Sequence, residues 1–119
     1  MQFDISHRGR VAEAAVSGYR IIKAGTAVMS CVPAAAATDK LLGTSDELDH
    51  AVGEMVDLCL LAVGRVRLGG TVAAGDALTS DANGKAIATT TIGNRIIGFA
   101  EIAGVLDDVI TYERSPGVL

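Results

Sequence analysis

The stretch "AAGDALTSDANGKAIATT", Ala73 to Thr90, sets a polar island between apolar runs, and the fold class turns on whether it is a site or a turn. A phosphate-binding loop of the form G-x-x-x-x-G-K-[ST] needs a glycine at position 79 and a hydroxyl at 86; the chain has Thr79 and Ala86. A calcium loop with its invariant glycine at Gly84 puts Thr79, Asp81 and Asn83 at the first ligand positions, and Thr90 where a bidentate glutamate belongs. Both ligand readings fail on spacing. As a turn, every letter has a use: Asn83-Gly84 is the dipeptide that takes up positive φ in a two-residue type I′ loop. That loop predicts Ala82 facing Lys85, Ser80 facing Ile87 and Leu78 facing Thr89, with Leu78 and Ile87 on a buried face and Thr79 and Asp81 on a wet one.

Working outward, the apolar runs read as strands. "TAVMSCV" (residues 26–32), "MVDLCLLAVGRVRL" (55–68), "RIIGFAEI" (95–102) and "DVITYE" (108–113) are β-branched or apolar and bounded by turn formers. Val63, Arg65 and Arg67 fall on the opposite parity from Gly64, Val66 and Leu68, as a half-buried strand requires. Two segments carry helical patterns, "GRVAEAAVSG" (9–18) and "TSDELDHAVGEM" (44–55), each ending near a glycine.

The chain also echoes itself. "KAGTAVMS" (23–30) resembles "AAGDALTS" (73–80), "KLLGTSDE" (40–47) resembles "RIIGFAEI" (95–102), and "VGEMVDL" (52–58) resembles "VLDDVIT" (105–111), at separations of roughly 50 to 55 residues. The expected fold is all-β: a small β-barrel or β-sandwich from two similar three-strand units, with an extended N-terminal arm and at most one or two short helices. Residues 1–18 are the arm and 19–119 a single β-rich domain.

Composition narrows the function classes. One domain is expected of 119 residues, and with aromatics at 3% its core is built from small aliphatic side chains, which favours oligomerisation. A net charge of −4 with no basic patch beyond Arg8 and Arg10 argues against nucleic acid, and no apolar run is long enough to span a bilayer. No secretory signal is expected at the start. Cys31 and Cys59, in apolar runs without metal spacing, read as buried small hydrophobes in a reducing compartment.

Catalytic and cofactor residues are not indicated. His7 and His50 share no metal spacing with the cysteines, and His50 sits in an acidic segment expected to be solvated. Asp107 and Asp108 are adjacent and on a strand would face opposite ways, so they form no proton-sharing dyad. No enzyme, no metal and no cofactor is expected. The alternative is a small cofactor carrier of the lipoyl or biotinyl hammerhead type with Lys85 at the hairpin tip; Asn83-Gly84 stands where such carriers place acidic or methionine residues.

The residues "GGTVAAGDALTSDANGKAIATT" (69–90), then "IIGFAEIAG" (96–104) and the closing "YERSPG" (112–117), resemble the capsid cement, or head decoration, proteins of tailed bacteriophages. The likeness runs from about Tyr19 onward, and Leu106-Asp107-Asp108 departs from it where the family has Gly-Asp. It implies a non-enzymatic virion protein that binds the outer surface of the capsid and stabilises the major capsid protein lattice as a homo-oligomer, a trimer or otherwise a dimer. The N-terminal arm, with Phe3, Ile5, His7, Arg8 and Arg10, is the expected capsid contact, and its alternative is a frayed terminus or an extra element in the chain's own fold. Asn83 and Gly84 are expected to serve the turn alone.

Overall fold

A computed structural model describes residues 7–119, and side chains from Gly9 onward. Among these residues every regular element is a strand: β1 (His7–Ala12), β2 (Ile21–Ala24), β3 (Ser30–Pro33), β4 (Gly43–Thr44), β5 (Met55–Cys59), β6 (Val63–Arg67), β7 (Ala77–Ser80), β8 (Ala86–Ala88), β9 (Arg95–Ala100) and β10 (Val109–Val118). The first five close into a barrel in the order β1-β3-β2-β4-β5, and the last five form a sheet in the order β6-β10-β9-β7-β8. In β5 and β6 buried and exposed residues alternate, so the parity read from Val63 to Leu68 holds.

The two units are one design used twice. In the first, β1 pairs β5 with Val11 opposite Met55, and β2 pairs β3 with Ala24 opposite Cys31. In the second, β6 pairs β10 with Arg67 opposite Val109, and β7 pairs β8 with Ser80 opposite Ala86. The parallel contact of Ala12 with Cys31 recurs as a bridge from Leu68 to Ala86, and the Val16–His50 bridge recurs as Val72–Gly104. Backbone handedness repeats too. The three described non-glycine residues with positive φ, Tyr19, Met29 and Asp107, match Gly75, Gly84 and Gly53 in the other unit. The expected two-unit architecture is present, with five strands per unit rather than three.

The registers refine the echoes. Gly43 lies opposite Ile22 in the first unit, as Gly98 lies opposite Leu78 in the second, so "KLLGTSDE" and "RIIGFAEI" correspond as expected. "AAGDALTS" instead corresponds to "SGYRIIKA" (17–24), and the third echo is displaced by one residue. Short Ala/Gly/Val words match in several registers, and only strand pairing selects among them.

The units meet where the second sheet stays open. In the barrel, the Val11 N–H donates to the Met29 carbonyl at 2.9 Å and ties β1 to the β2–β3 loop. The counterparts, Arg67 and Gly84, do not bond each other. The Arg67 N–H donates to Tyr19 O at 2.9 Å, and Gly84 O accepts the Ile21 N–H at 2.7 Å, so the backbone of residues 19–21 wedges into the gap. One core follows: Ile21, Ala34 and Leu41 of the first unit pack with Val66, Leu78, Ile97, Ile110 and Tyr112 of the second. The barrel interior, with Val16, Ile22, Cys31, Val56 and Leu58, is a separate cluster. Tyr112, fully buried, places its hydroxyl 3.4 Å from Thr44 Oγ1, and its ring fills a core otherwise short of aromatic volume.

Several expectations are corrected. Neither helical pattern forms a helix. Residues 7–12 of the segment expected as an arm are β1, whose pairing with β5 overrides alanine's helical preference. In residues 44–55 acidic side chains satisfy backbone groups that a helix would use: Asp46 accepts the Leu48 N–H and Glu54 accepts the Ala51 N–H. "TAVMSCV" is a turn through Met29 and only then β3.

The hairpin of Ala73 to Thr90 is present, but its turn is not type I′. Ser80 faces Ala86, Thr79 faces Ile87 and Leu78 faces Ala88. Asp81 Oδ1 accepts the N–H groups of Asn83 and Lys85, and Gly84 alone in the loop takes positive φ, at 76°. The longer loop lets the Gly84 carbonyl reach Ile21. It also shifts the strands by one residue, so that Leu78, Thr79 and Ser80 are all buried and Thr79 has no wet face.

Candidate functional surfaces

Of the expected capsid-contact residues, Phe3 and Ile5 lie outside the described residues. His7 and Arg8 sit in β1 opposite Cys59 and Leu58, and Arg10 lies opposite Val56. The Arg10 guanidinium donates from Nη1 to Ser30 O at 3.1 Å, binding β1 to β3. His7, Arg8 and Arg10 are thus members of one barrel strand, which begins beside Cys59.

Lys85 is not displayed at a hairpin tip. It follows the turn, and its Nζ lies 2.6 Å from Asp107 Oδ1; this ammonium holds the Asp107 carboxyl below the usual carboxylate range, though desolvation opposes it. Asp108 turns elsewhere, accepting the Val105 N–H; the two carboxylates lie in the turn before β10 and not on a strand as expected, and each serves a different partner. Asn83 and Gly84 are both in the turn.

The carboxylate that braces each hairpin loop comes from a different place in each unit. Asp81 braces the second from within. In the first, Glu13 reaches across from just past the end of β1 and accepts the N–H groups of Thr26 and Ala27, at 2.9 and 2.7 Å. These backbone donors, Ala27 foremost, bring the Glu13 carboxyl down to about 2. Each arrangement needs a glycine at the other place. A side chain at Gly25 would meet the Glu13 carboxylate, and one at Gly69 would meet that of Asp81.

His50 is not solvated. Its ring is 11% exposed and Nε2 lies 2.9 Å and 3.0 Å from the two Asp46 carboxylate oxygens. Asp46, which also accepts the Leu48 and Asp57 N–H groups, has its burial penalty overcome by these bonds and titrates below its ordinary value. The cluster closes the long β4–β5 loop. Cys31 is fully buried and its thiol is pushed up by that burial, whereas Cys59 is half-buried. Among the described residues no three His, Cys, Asp or Glu side chains gather into a cation site.

Among its charged side chains the surface also exposes large apolar ones. Val28 is 94% exposed and Ile92 90% exposed, on loops; Met55 and Val11 face each other across β5 and β1 with substantial exposure. Leu48 and Val52 in the β4–β5 loop are matched by Ile102 and Leu106 in the β9–β10 loop, all exposed. A groove of about 500 Å³ at the join is lined by Tyr19, Thr44, Cys59, Leu61 and Val63, with Asp46 at its side. A depression of about 520 Å³ in the second unit is lined by Ala77, Ala88, Phe99 and Leu119, with Asp76, Thr89 and Thr90. Val28 is hidden in the sequence because "TAVMSCV" reads as a strand; the helpful signal is Thr26-Ala27, small residues with a carboxylate at Glu13 to receive their N–H groups.

No protein-family model matches the chain, and no curated protein does. Among solved structures, it is similar to the crystal structure of the head fiber gp8.5 N base in bacteriophage phi29, with a TM-score of 0.76 and 22% sequence identity over 95% of this chain and 96% of that one. The chain has the fold of that head fiber base, along nearly its whole length.

Proposed function

We propose that the protein is a structural component of a tailed-phage virion that binds the outer surface of the capsid and strengthens the coat lattice as a homo-oligomer, a trimer in the favoured form. The observation that carries this reading is the fold shared with a phage head fiber base along nearly the whole chain. It accords with the resemblance of residues 69–117 to head decoration proteins. The surface fits a binding role: it exposes large apolar side chains on loops, Val28 and Ile92 foremost, and the carboxylates of Glu13 and Asp81 are spent on bracing turns.

Lattice binding of this kind gains strength from repetition. Several weak contacts held on one symmetric body reinforce one another through effective concentration, without a deep pocket. The proposed coat contact is the segment of Phe3 and Ile5 with His7 and Arg8 at the start of β1, while Arg10, bound to Ser30 O, anchors that segment to the barrel. The test is co-sedimentation of the purified protein with empty shells of the coat protein from the same source. Binding that saturates at a fixed ratio supports the reading, and protein left in the supernatant at all ratios overturns it.

A further inference from the structure

We infer that copies of this chain associate head to tail through a contact that repeats, between chains, the one between its own two units. This rests on the reading of the protein as an oligomer and names the surfaces that would join.

Inside the chain, the β7–β8 loop docks through Gly84 on a socket made by the backbone of Ile21 and Ala34 and the Arg20 side chain of the first unit, with Tyr19 two residues before Ile21 and Thr44 opposite Ile21 in β4. Ile21 donates to Gly84 O, Tyr19 O accepts from Arg67, and a Cβ at Gly84 would meet the carbonyls of Ile21 and Ala34. Ile21, Ala34 and Thr44 are all completely buried, Ile21 and Ala34 in the core shared by the two units and Thr44 with Tyr112 of the second unit against its hydroxyl. Because the units share one register, each half of the contact has a counterpart left over.

The unused socket is on the second unit. Gly75, Ala77, Thr89 and Phe99 stand where Tyr19, Ile21, Ala34 and Thr44 stand in the first; the Thr89 N–H donates to Ala77 O at 2.9 Å just as the Ala34 N–H donates to Ile21 O at 2.9 Å. Among the described residues the first unit supplies no acceptor to the Ala77 N–H. Phe99 is 37% exposed where Thr44 is buried, and with Ala88 and Leu119 it forms the apolar part of the depression of about 520 Å³, whose rim also carries Asp76 and Thr90. The unused tip is on the first unit. Ala27, Val28 and Met29 stand where Ala82, Asn83 and Gly84 stand, and Met29 shares the positive φ of Gly84, at 57° against 76°.

The tip differs from its docked counterpart in a way that suits a contact between chains. Val28 replaces Asn83, and Val11 replaces Arg67, so the surface is apolar where the docked one is polar. The carbonyl that would correspond to the docked Gly84 O is already taken, since Met29 O accepts the Val11 N–H and the barrel is closed. Contact with a second copy is therefore made by side chains: Val28, with Val11 and Met55 behind it, enters the depression between Ala88, Phe99 and Leu119. The occupant is a second copy because the same chain already shows the equivalent loop seated on the equivalent socket. A contact between two different faces closes into a ring when its rotation allows and otherwise runs on as a fibre.

The experiment uses the full chain and measures mass by light scattering across a dilution series, with circular dichroism to confirm folding. Val28→Asp spoils the tip, and Ala88→Asp, at an exposed position, spoils the socket without touching the core. The wild type is expected to be oligomeric, each variant monomeric, and an equimolar mixture dimeric, because one intact tip then meets one intact socket. Oligomers unaffected by either substitution overturn this contact while leaving the oligomer reading in place. Two monomeric variants whose mixture stays monomeric indicate a self-complementary interface and overturn the head-to-tail arrangement. A monomeric wild type at all concentrations overturns both.

Discussion

The carbonyl of Gly84 accepts the backbone N–H of Ile21 at 2.7 Å, and through this bond a turn in the second unit completes a strand edge in the first. Gly84 must hold φ at 76° while its Cα lies against the carbonyls of Ile21 and Ala34. Gly84→Val therefore combines a β-branched residue in the left-handed region with a crowded join, and a loss of at least about 2 kcal/mol is expected. Chemical denaturation checks it; an unchanged midpoint would show that the join does not constrain the turn.

Lys85→Ala has the opposite expectation. Its ion pair with Asp107 is on the surface, where ordering two side chains offsets most of the attraction. The thermal midpoint of the variant should match the wild type within error, and capsid binding should persist. A large loss of either would reopen the residue as a site.

Thr79 presents a buried hydroxyl oxygen with no partner among the described residues. Thr79→Val keeps the shape and removes the stranded polar group, so a gain of about 1 kcal/mol is expected from equilibrium unfolding. Destabilisation instead would mean that the hydroxyl is satisfied in solution.

Glu13 gives the fold a defined acid limb. Its carboxyl titrates near 2 when folded, below the ordinary value of 4.5, so its stabilisation is fully present above that ordinary value and is lost as pH falls through the folded one. Glu13→Gln should flatten the fall in stability between pH 4.5 and pH 2. A variant that loses stability over that interval as steeply as the wild type would assign the acid limb to other carboxylates.

Much of this molecule can be read from its letters, because alternation and turn chemistry are local. The parity of Val63 to Leu68, the hairpin after Ala77 and the repetition of a strand unit are all visible in sequence. What escapes such a reading is set by contacts between distant residues. Asn83-Gly84 has type I′ chemistry, yet Asp81 captures the loop backbone and Ile21 claims the Gly84 carbonyl, so the turn lengthens and the strands slip by one residue. Alanine-rich residues 9–18 favour a helix in isolation, and pairing with β5 makes their first part a strand. The apolar surface is the least legible part, since Val28 and Phe99 look like core residues until the register shows which unit leaves them uncovered.

Co-sedimentation with coat shells remains the most direct test of the central claim, performed with wild type beside a variant lacking residues 2–6. The wild type is predicted to pellet with shells in a saturable, fixed ratio and to raise their thermal disruption temperature, while the folded truncation binds more weakly. Protein that stays in the supernatant and leaves the shells no more stable would contradict it.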